Sequence, residues 1–171
     1  MKLGADFTYD RENQFYSVET DRLQGAYLLL DEASVTGTAN LVMAAVLAKG
    51  TTTIYNAACE PYLQQLCSML NRMGAKISGI GSNRLTIEGV ERLSGTSHRI
   101  LPDMVEIGSW IGLAALTRSE LKIKNVSWDD LGQIPNVFRK LGIKVERQKD
   151  NIYIPAHSDG YEVQSFIDGS I

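Results

Sequence analysis

Apolar and polar positions along the chain follow one order twice, at a shift of about seventy residues. Arg22-Leu23-x-Gly25 returns as Arg92-Leu93-x-Gly95. Behind each comes a short apolar run with strand character, Ala26 to Leu30 or His98 to Leu101. Next is an alanine-bearing amphipathic stretch, in which Ala44-Ala45 matches Ala114-Ala115. An extended run ending in asparagine follows, Thr51 to Asn56 or Glu120 to Asn125, and then a second helical pattern, Tyr62 to Met73 or Leu131 to Leu141. Each of these helices stops at a glycine, Gly74 or Gly142, where a residue past the helix end favours the left-handed region. Two short β-prone runs close each unit: Ala75 to Ile80 with Leu85 to Ile87, and Ile143 to Glu146 with Ile152 to Ile154. The pattern predicts β-α-β-α-β-β, repeated.

The ends of the chain carry pieces of the same unit. Leu3-Gly4-Ala5 with Asp6 to Glu19 has the form of a closing hairpin, and Tyr161 to Phe166 that of an opening strand, which stops at Asp168-Gly169-Ser170-Ile171. Units of this kind bury their faces against neighbours. The expected organisation is therefore one partial domain: residues 1–21 the tail of a preceding repeat, 22–90 and 91–157 two full repeats, and 158–171 the first strand of a following one.

Composition narrows the function classes. Of 171 residues, 44% are hydrophobic and 22% charged, with 17 Lys plus Arg against 20 Asp plus Glu. A chain of this length can bury roughly two-thirds of its unfolded surface without metal or disulfide. A formal charge of −3 with scattered cations offers no basic face for nucleic acid. The longest apolar stretches, such as Leu41 to Ala48, are far shorter than the roughly 20 residues that span a bilayer. Cys59 and Cys67, placed on one helix, stand too far apart to pair. Two free thiols and no apolar segment behind Met1 lead to the expectation of a soluble, cytoplasmic protein.

The blocks Leu30-Asp31-x-x-Ser34-Val35-x-x-Thr38, Ala44-Ala45-x-Leu47-Ala48-x-Gly50-Thr51-Thr52, Asn56-Ala57-Ala58-x-Glu60-Pro61, Gly74 to Gly79, Ile87 to Leu93 and Leu101-Pro102-Asp103 stand in one order. Together they resemble the UDP-N-acetylglucosamine enolpyruvyl transferases, from Leu3 into the 160s. The resemblance implies an inside-out α/β barrel, helices inside and sheets outside, built from the same β-α-β-α-β-β unit. It implies a substrate pair, UDP-N-acetylglucosamine and phosphoenolpyruvate, with no cofactor and no metal, and a place at the start of peptidoglycan precursor synthesis. Members of that family are more than twice as long. The resemblance places the general acid, the base and the phosphoenolpyruvate-gripping residues outside these positions, so no catalytic residue is assigned and catalysis by this chain alone is not expected.

The resemblance assigns one edge of the nucleotide-sugar site, the loop Glu32-Ala33-Ser34-Val35-Thr36, to the uridine diphosphate moiety. Local chemistry agrees: Ser34, Thr36 and Thr38 carry hydroxyls, Gly37 permits close approach, and a helix over Thr38 to Ala48 would present free amides to an anion. The common family form has lysine, glycine and alanine where Glu32, Thr36 and Gly37 stand. A carboxylate at Glu32 repels a diphosphate unless it turns away, which leaves backbone contacts. Plain readings compete. Ser34 and Thr36 serve equally as helix caps, and Asp103 with Glu106 has the spacing of a capping box rather than of a catalytic carboxylate pair. Cys59 is read as an incidental thiol and Cys67 as core. His98 and His157 match no zinc spacing, Trp110 is expected in the core and Trp128 part-exposed, and Gly79-x-Gly81 opens no helix of the dinucleotide-binding kind. The rival readings are a shikimate 3-phosphate enolpyruvyl transferase and a non-catalytic α/β scaffold module.

Overall fold

The computed structural model describes residues 2–157 and 160–162. Two compact units divide the chain, Met1–Ile100 and Leu101–Ile171. Most of the expected opening strand Tyr161 to Phe166, and Asp168 to Ile171 after it, lie outside the described residues.

The first unit opens with a hairpin of β1 (Asp6–Asp10) and β2 (Phe15–Glu19), antiparallel with Phe7 opposite Val18 and Tyr9 opposite Tyr16. Its loop is held by Asp10, whose carboxylate accepts from the Glu12 and Asn13 amides and the Asn13 side chain. These bonds, led by the Asn13 side chain, hold the Asp10 carboxyl below its usual value. The repeat proper follows as β3 (Tyr27–Leu29), α1 (Val35–Ala45), β4 (Thr51–Tyr55), α2 (Pro61–Arg72), β5 (Lys76–Ser78) and β6 (Arg84–Glu88). The sheet order is β3-β4-β6-β5, with β3 and β4 parallel and the other pairs antiparallel.

Alternation decides which face is covered. Along β4 and β6 the even positions Thr52, Ile54 and the odd positions Leu85, Ile87 are buried, while Thr51, Tyr55, Arg84 and Glu88 are exposed. The buried face meets Val42, Ala45 and Val46 from α1 and its end, and Cys67 and Leu70 from α2. One sheet face thus carries both helices and the other faces outward. α2 ends as its sequence requires: Gly74 adopts φ 104°, the Ala75 amide donates to the Leu70 carbonyl, and the Asn71 side chain both donates to and accepts from the Ile77 backbone.

The second unit contains α3 (Met104–Thr117), β7 (Leu121–Ile123), a 3₁₀ turn (Trp128–Asp130), α4 (Ile134–Lys140), β8 (Glu146–Gln148) and β9 (Asn151–Ile154). Its sheet is β7-β9-β8, all antiparallel, over a core of Ile107, Ile111, Leu131, Ile143, Val145, Ile152 and Ile154. Gly142, at φ 83°, closes α4 as Gly74 closes α2. Among the described residues no helix is long and apolar enough to cross a membrane.

Four expectations change. The opening strand at His98 to Leu101 does not form, because the stretch has no ladder partner among the described residues. It lies instead along α2, where the Ser94 amide donates to the Met73 carbonyl at 2.7 Å and the Gln65 side chain donates to the Arg99 carbonyl at 3.1 Å. α1 begins at Val35 rather than Thr38, since Ser34 caps it. Cys59 is not on the helix of Cys67, because Glu60 and Pro61 start α2 after it. Trp110 is not core: it stands 45% exposed on α3, its indole N–H donating to Glu106 Oε1.

The two repeat glycines differ for the same reason. A Cβ on Gly25 would collide with the Thr51 backbone, because the Gly25 amide donates to the Lys49 carbonyl as β3 approaches β4. A Cβ on Gly95 would meet open space. Gly25→Ala is therefore expected to cost about 1–3 kcal/mol of stability by forced overpacking, and Gly95→Ala less than about 0.5 kcal/mol. Urea-unfolding midpoints of the two variants measure the difference.

Candidate functional site

β3 and β4 run parallel, so their carboxyl ends lie side by side, and each feeds a loop that enters a helix. The outer edge of a parallel pair is where α/β sheets place ligands. Leu30 to Ser34 leads into α1, and Asn56 to Glu60 leads into α2.

Three side chains lock these loops. The Leu30 amide donates to the Tyr55 carbonyl, extending the pairing by one residue, and the Asn56 side chain donates to the Leu30 carbonyl at 3.0 Å. Asn56 reaches it from the left-handed region, φ 59°, a conformation asparagine tolerates better than most residues. The Ser34 hydroxyl accepts from the Gly37 amide at 3.1 Å, capping α1. The Thr38 hydroxyl, wholly buried, donates to the Ser34 carbonyl at 2.7 Å and accepts from the Ala58 amide at 3.0 Å.

The predicted residues separate on this geometry. Glu32, Ala33 and Thr36 are exposed, while Ser34 and Val35 are half-buried. The Glu32 carbonyl accepts from the Ser34 amide, which tightens the turn before the helix. Thr38 is unavailable to a ligand, because both sides of its hydroxyl bond within the protein. Ser34 is a cap and one wall of the loop together. The amides of Val35 and Thr36 meet no acceptor among the described residues, and they point out of the first turn of α1, the positive end of the helix dipole. Asn56 and the tie through Ala58 were not singled out from the sequence. The signal for Asn56 was present, since an asparagine closes the matching run at Asn125, which adopts φ 57°.

The capping box expected of Asp103 and Glu106 forms by one half: Asp103 caps α3, accepting from the Val105 and Glu106 amides, whereas the Glu106 carboxylate accepts from the Trp110 indole N–H, so the two carboxylates do not act as a pair. Trp128 is half-buried with the Arg147 guanidinium 5.2 Å from its ring centre. Among the described residues no cluster of three His, Cys, Asp or Glu forms a metal site.

The family model of EPSP synthase (3-phosphoshikimate 1-carboxyvinyltransferase) matches residues 1–167. The chain belongs to the EPSP synthase family. Within it, the chain is 71% identical over 171 residues to the UDP-N-acetylglucosamine 1-carboxyvinyltransferase of Bacteroides thetaiotaomicron, covering all of this chain and 39% of that protein. It is 62% identical over 169 residues to the enzyme of the same name from Porphyromonas gingivalis, again over 39% of its length. The chain thus spans about two-fifths of these relatives. Among solved structures, the enolpyruvyl transferase NikO from Streptomyces tendae superposes with TM-score 0.74 at 18% identity, over 92% of this chain and 40% of that one. EPSP synthase from Acinetobacter baumannii gives TM-score 0.62 at 20% identity, over 90% of this chain and 37% of that one. The fold is that of the enolpyruvyl transferases in this family, as the sequence resemblance implied.

Two outcomes check the site's architecture. Ser34→Ala is expected to cost about 1 kcal/mol through the lost cap. Thr38→Val, which strands a buried amide and carbonyl, is expected to cost about 1–3 kcal/mol, and Thr38→Ser to restore most of it; thermal unfolding ranks the three. Cys59 is exposed and Cys67 buried, and burial pushes the Cys67 thiol up. Iodoacetamide is therefore expected to label Cys59 in the native protein and Cys67 only after unfolding, as intact mass would show.

Proposed function

We propose that this chain is part of a UDP-N-acetylglucosamine 1-carboxyvinyltransferase of the EPSP synthase family. The observation that carries the reading is the 71% identity, sustained over every residue of the chain, to a relative of that name. The shikimate 3-phosphate reading takes its support from the family model and from structures about 20% identical, a level that reports a shared fold.

The whole enzyme would add the 3′-hydroxyl of UDP-N-acetylglucosamine to C2 of phosphoenolpyruvate while C3 gains a proton. The resulting tetrahedral ketal would lose phosphate and a C3 proton, leaving the enolpyruvyl ether. Acid, base and phosphate-neutralising groups are needed for that sequence, and none is assigned to these residues. This chain would contribute the edge Glu32 to Thr36. The amides of Val35 and Thr36 suit a diphosphate oxygen, and Ser34 holds the turn that aims them. Glu32 is exposed, its carbonyl accepts from the Ser34 amide, and its carboxylate would repel a diphosphate, so the contact would run through the amides of Val35 and Thr36. The setting would be the cytoplasm, and the product a peptidoglycan precursor bearing on cell-wall growth and cell shape.

Titration of the isotope-labelled chain with UDP-N-acetylglucosamine, to about millimolar concentration, tests the reading. Amide shifts are expected within Glu32 to Asn40 for the UDP-sugar and not for shikimate 3-phosphate. Equal shifts with both ligands, or none with either, would overturn it.

A further inference from the structure

The β1–β2 hairpin presents an apolar face that nothing among the described residues covers. Phe7 and Tyr9 on β1 and Tyr16 and Val18 on β2 share that face by strand alternation, and they stand 44% to 64% exposed. Their rings stack on one another, Tyr16 with Tyr9 at 4.5 Å and with Phe7 at 5.7 Å. The opposite face carries Asp6, Thr8, Asp10, Ser17 and Glu19, with Phe15 beside the turn. One apolar and one polar face is the pattern of a sheet with one side covered, and two strands by themselves bury too little to be stable.

The end of the repeat shows what covers such a face. Phe7 opposite Val18 repeats the pairing of Ile77 opposite Ile87, and Tyr16 takes the place of Leu85. Ile77, Leu85 and Ile87 are at most 6% exposed. They are covered because α1 packs on β6 and α2 on β5, while β4 pairs with the other edge of β6, Ile54 opposite Leu85 and Thr52 opposite Ile87. The equivalence extends to the backbone before each pair of strands. The Gln24 amide donates to the Leu3 carbonyl at 2.9 Å, as the Ser94 amide does to the Met73 carbonyl at 2.7 Å, and Gly4 at φ 82° stands where Gly74 stands at φ 104°. Met73 is the C-cap of α2. Leu3 and Gly4 therefore have the backbone geometry of a helix end, followed by a hairpin whose core side is uncovered among the described residues.

We propose that the face of Phe7, Tyr9, Tyr16 and Val18 is an interface for one strand and two amphipathic helices, supplied by a segment that precedes Leu3 in a longer polypeptide. The strand pairs antiparallel with β2 on the edge away from β1, as β4 does with β6. The second helix ends at Leu3 and lies over β1, as α2 lies over β5. The occupant is placed before Leu3 because the Leu3 carbonyl already stands in the C-cap position, which a helix reaches from its N-terminal side. The relatives have the length for it, since this chain spans 39% of each. The interface does not depend on which substrate the whole protein takes.

The test compares this chain with the product of the whole reading frame that encodes it. Hydrogen exchange of the β2 amides not bonded to β1 is expected to slow at least about tenfold in the longer product. Tyr16→Ala is expected to lower the thermal midpoint of the longer product by several degrees and to leave that of this chain nearly unchanged. Exchange is read on the unsubstituted proteins, so it decides the matter even where Tyr16→Ala prevents the longer product from folding. β2 amides that exchange equally fast in both, or a reading frame that starts at Met1, would overturn the proposal. Protection that appears in this chain alone and rises with its concentration would put a second copy on the face, and would overturn it as well.

Discussion

The hydroxyl of Thr38 is the joint on which the candidate site depends. It is the point where the first turn of one helix meets the approach to the next, and it satisfies a carbonyl on one side and an amide on the other. Parallel pairing of β3 with β4 brings the two loops to the same edge, but strands alone would leave the loops to find their own positions. A buried hydroxyl with both bonds made fixes them, because breaking either bond strands a backbone group away from water. Asn56 adds a second tie at the strand ends. The first-turn amides of α1 are thus aimed by Thr38 and Asn56, whose side chains bond within the protein.

The repeat shows how one sequence pattern meets different tertiary settings. Both units close their second helix with a glycine at positive φ, and both end their middle strand with an asparagine in the left-handed region. Those features are local: they follow from backbone sterics within a few residues and recur wherever the pattern recurs. The opening strand is not local. At Tyr27 to Leu29 it finds β4 as a parallel partner, with Gly25 pressed against the Thr51 backbone. At His98 to Leu101 a run that carries His98 and Arg99 has no strand partner among the described residues, and its Arg99 carbonyl accepts from the Gln65 side chain of α2 instead.

Fold and chemistry are reported by different comparisons. Structures only 18% and 20% identical share the architecture across nine-tenths of the chain, as expected for a scaffold whose requirements are alternation, turn chemistry and core volume. The distinction between a UDP-sugar and a phosphorylated shikimate as substrate is not written in those requirements. Relatives 71% and 62% identical, both named UDP-N-acetylglucosamine 1-carboxyvinyltransferase, are more specific on that point than superpositions at about 20% identity.

The sequence alone determined the order of elements in the first repeat, the positive-φ stops at Gly74 and Gly142 and the family, because each is carried by short-range pattern or by ordered blocks of residues. It also pointed to the loop Glu32 to Thr36 and to Ser34 as a cap. It did not reveal that Thr38 is buried and bonded on both sides, that Trp110 stands on an exposed helix face, or that a Glu60 carboxylate oxygen is buried without a partner among the described residues. Those facts depend on which surfaces meet. Thr38 bonds a residue twenty positions away, Trp110 lies on a helix apolar on more sides than its unit can cover, and Glu60 is left over once Pro61 and Gln64 have closed the turn. Local pattern specifies a helix or a strand by backbone sterics and periodicity, whereas the partner of a polar side chain is decided only when distant segments are brought into hydrogen-bonding distance.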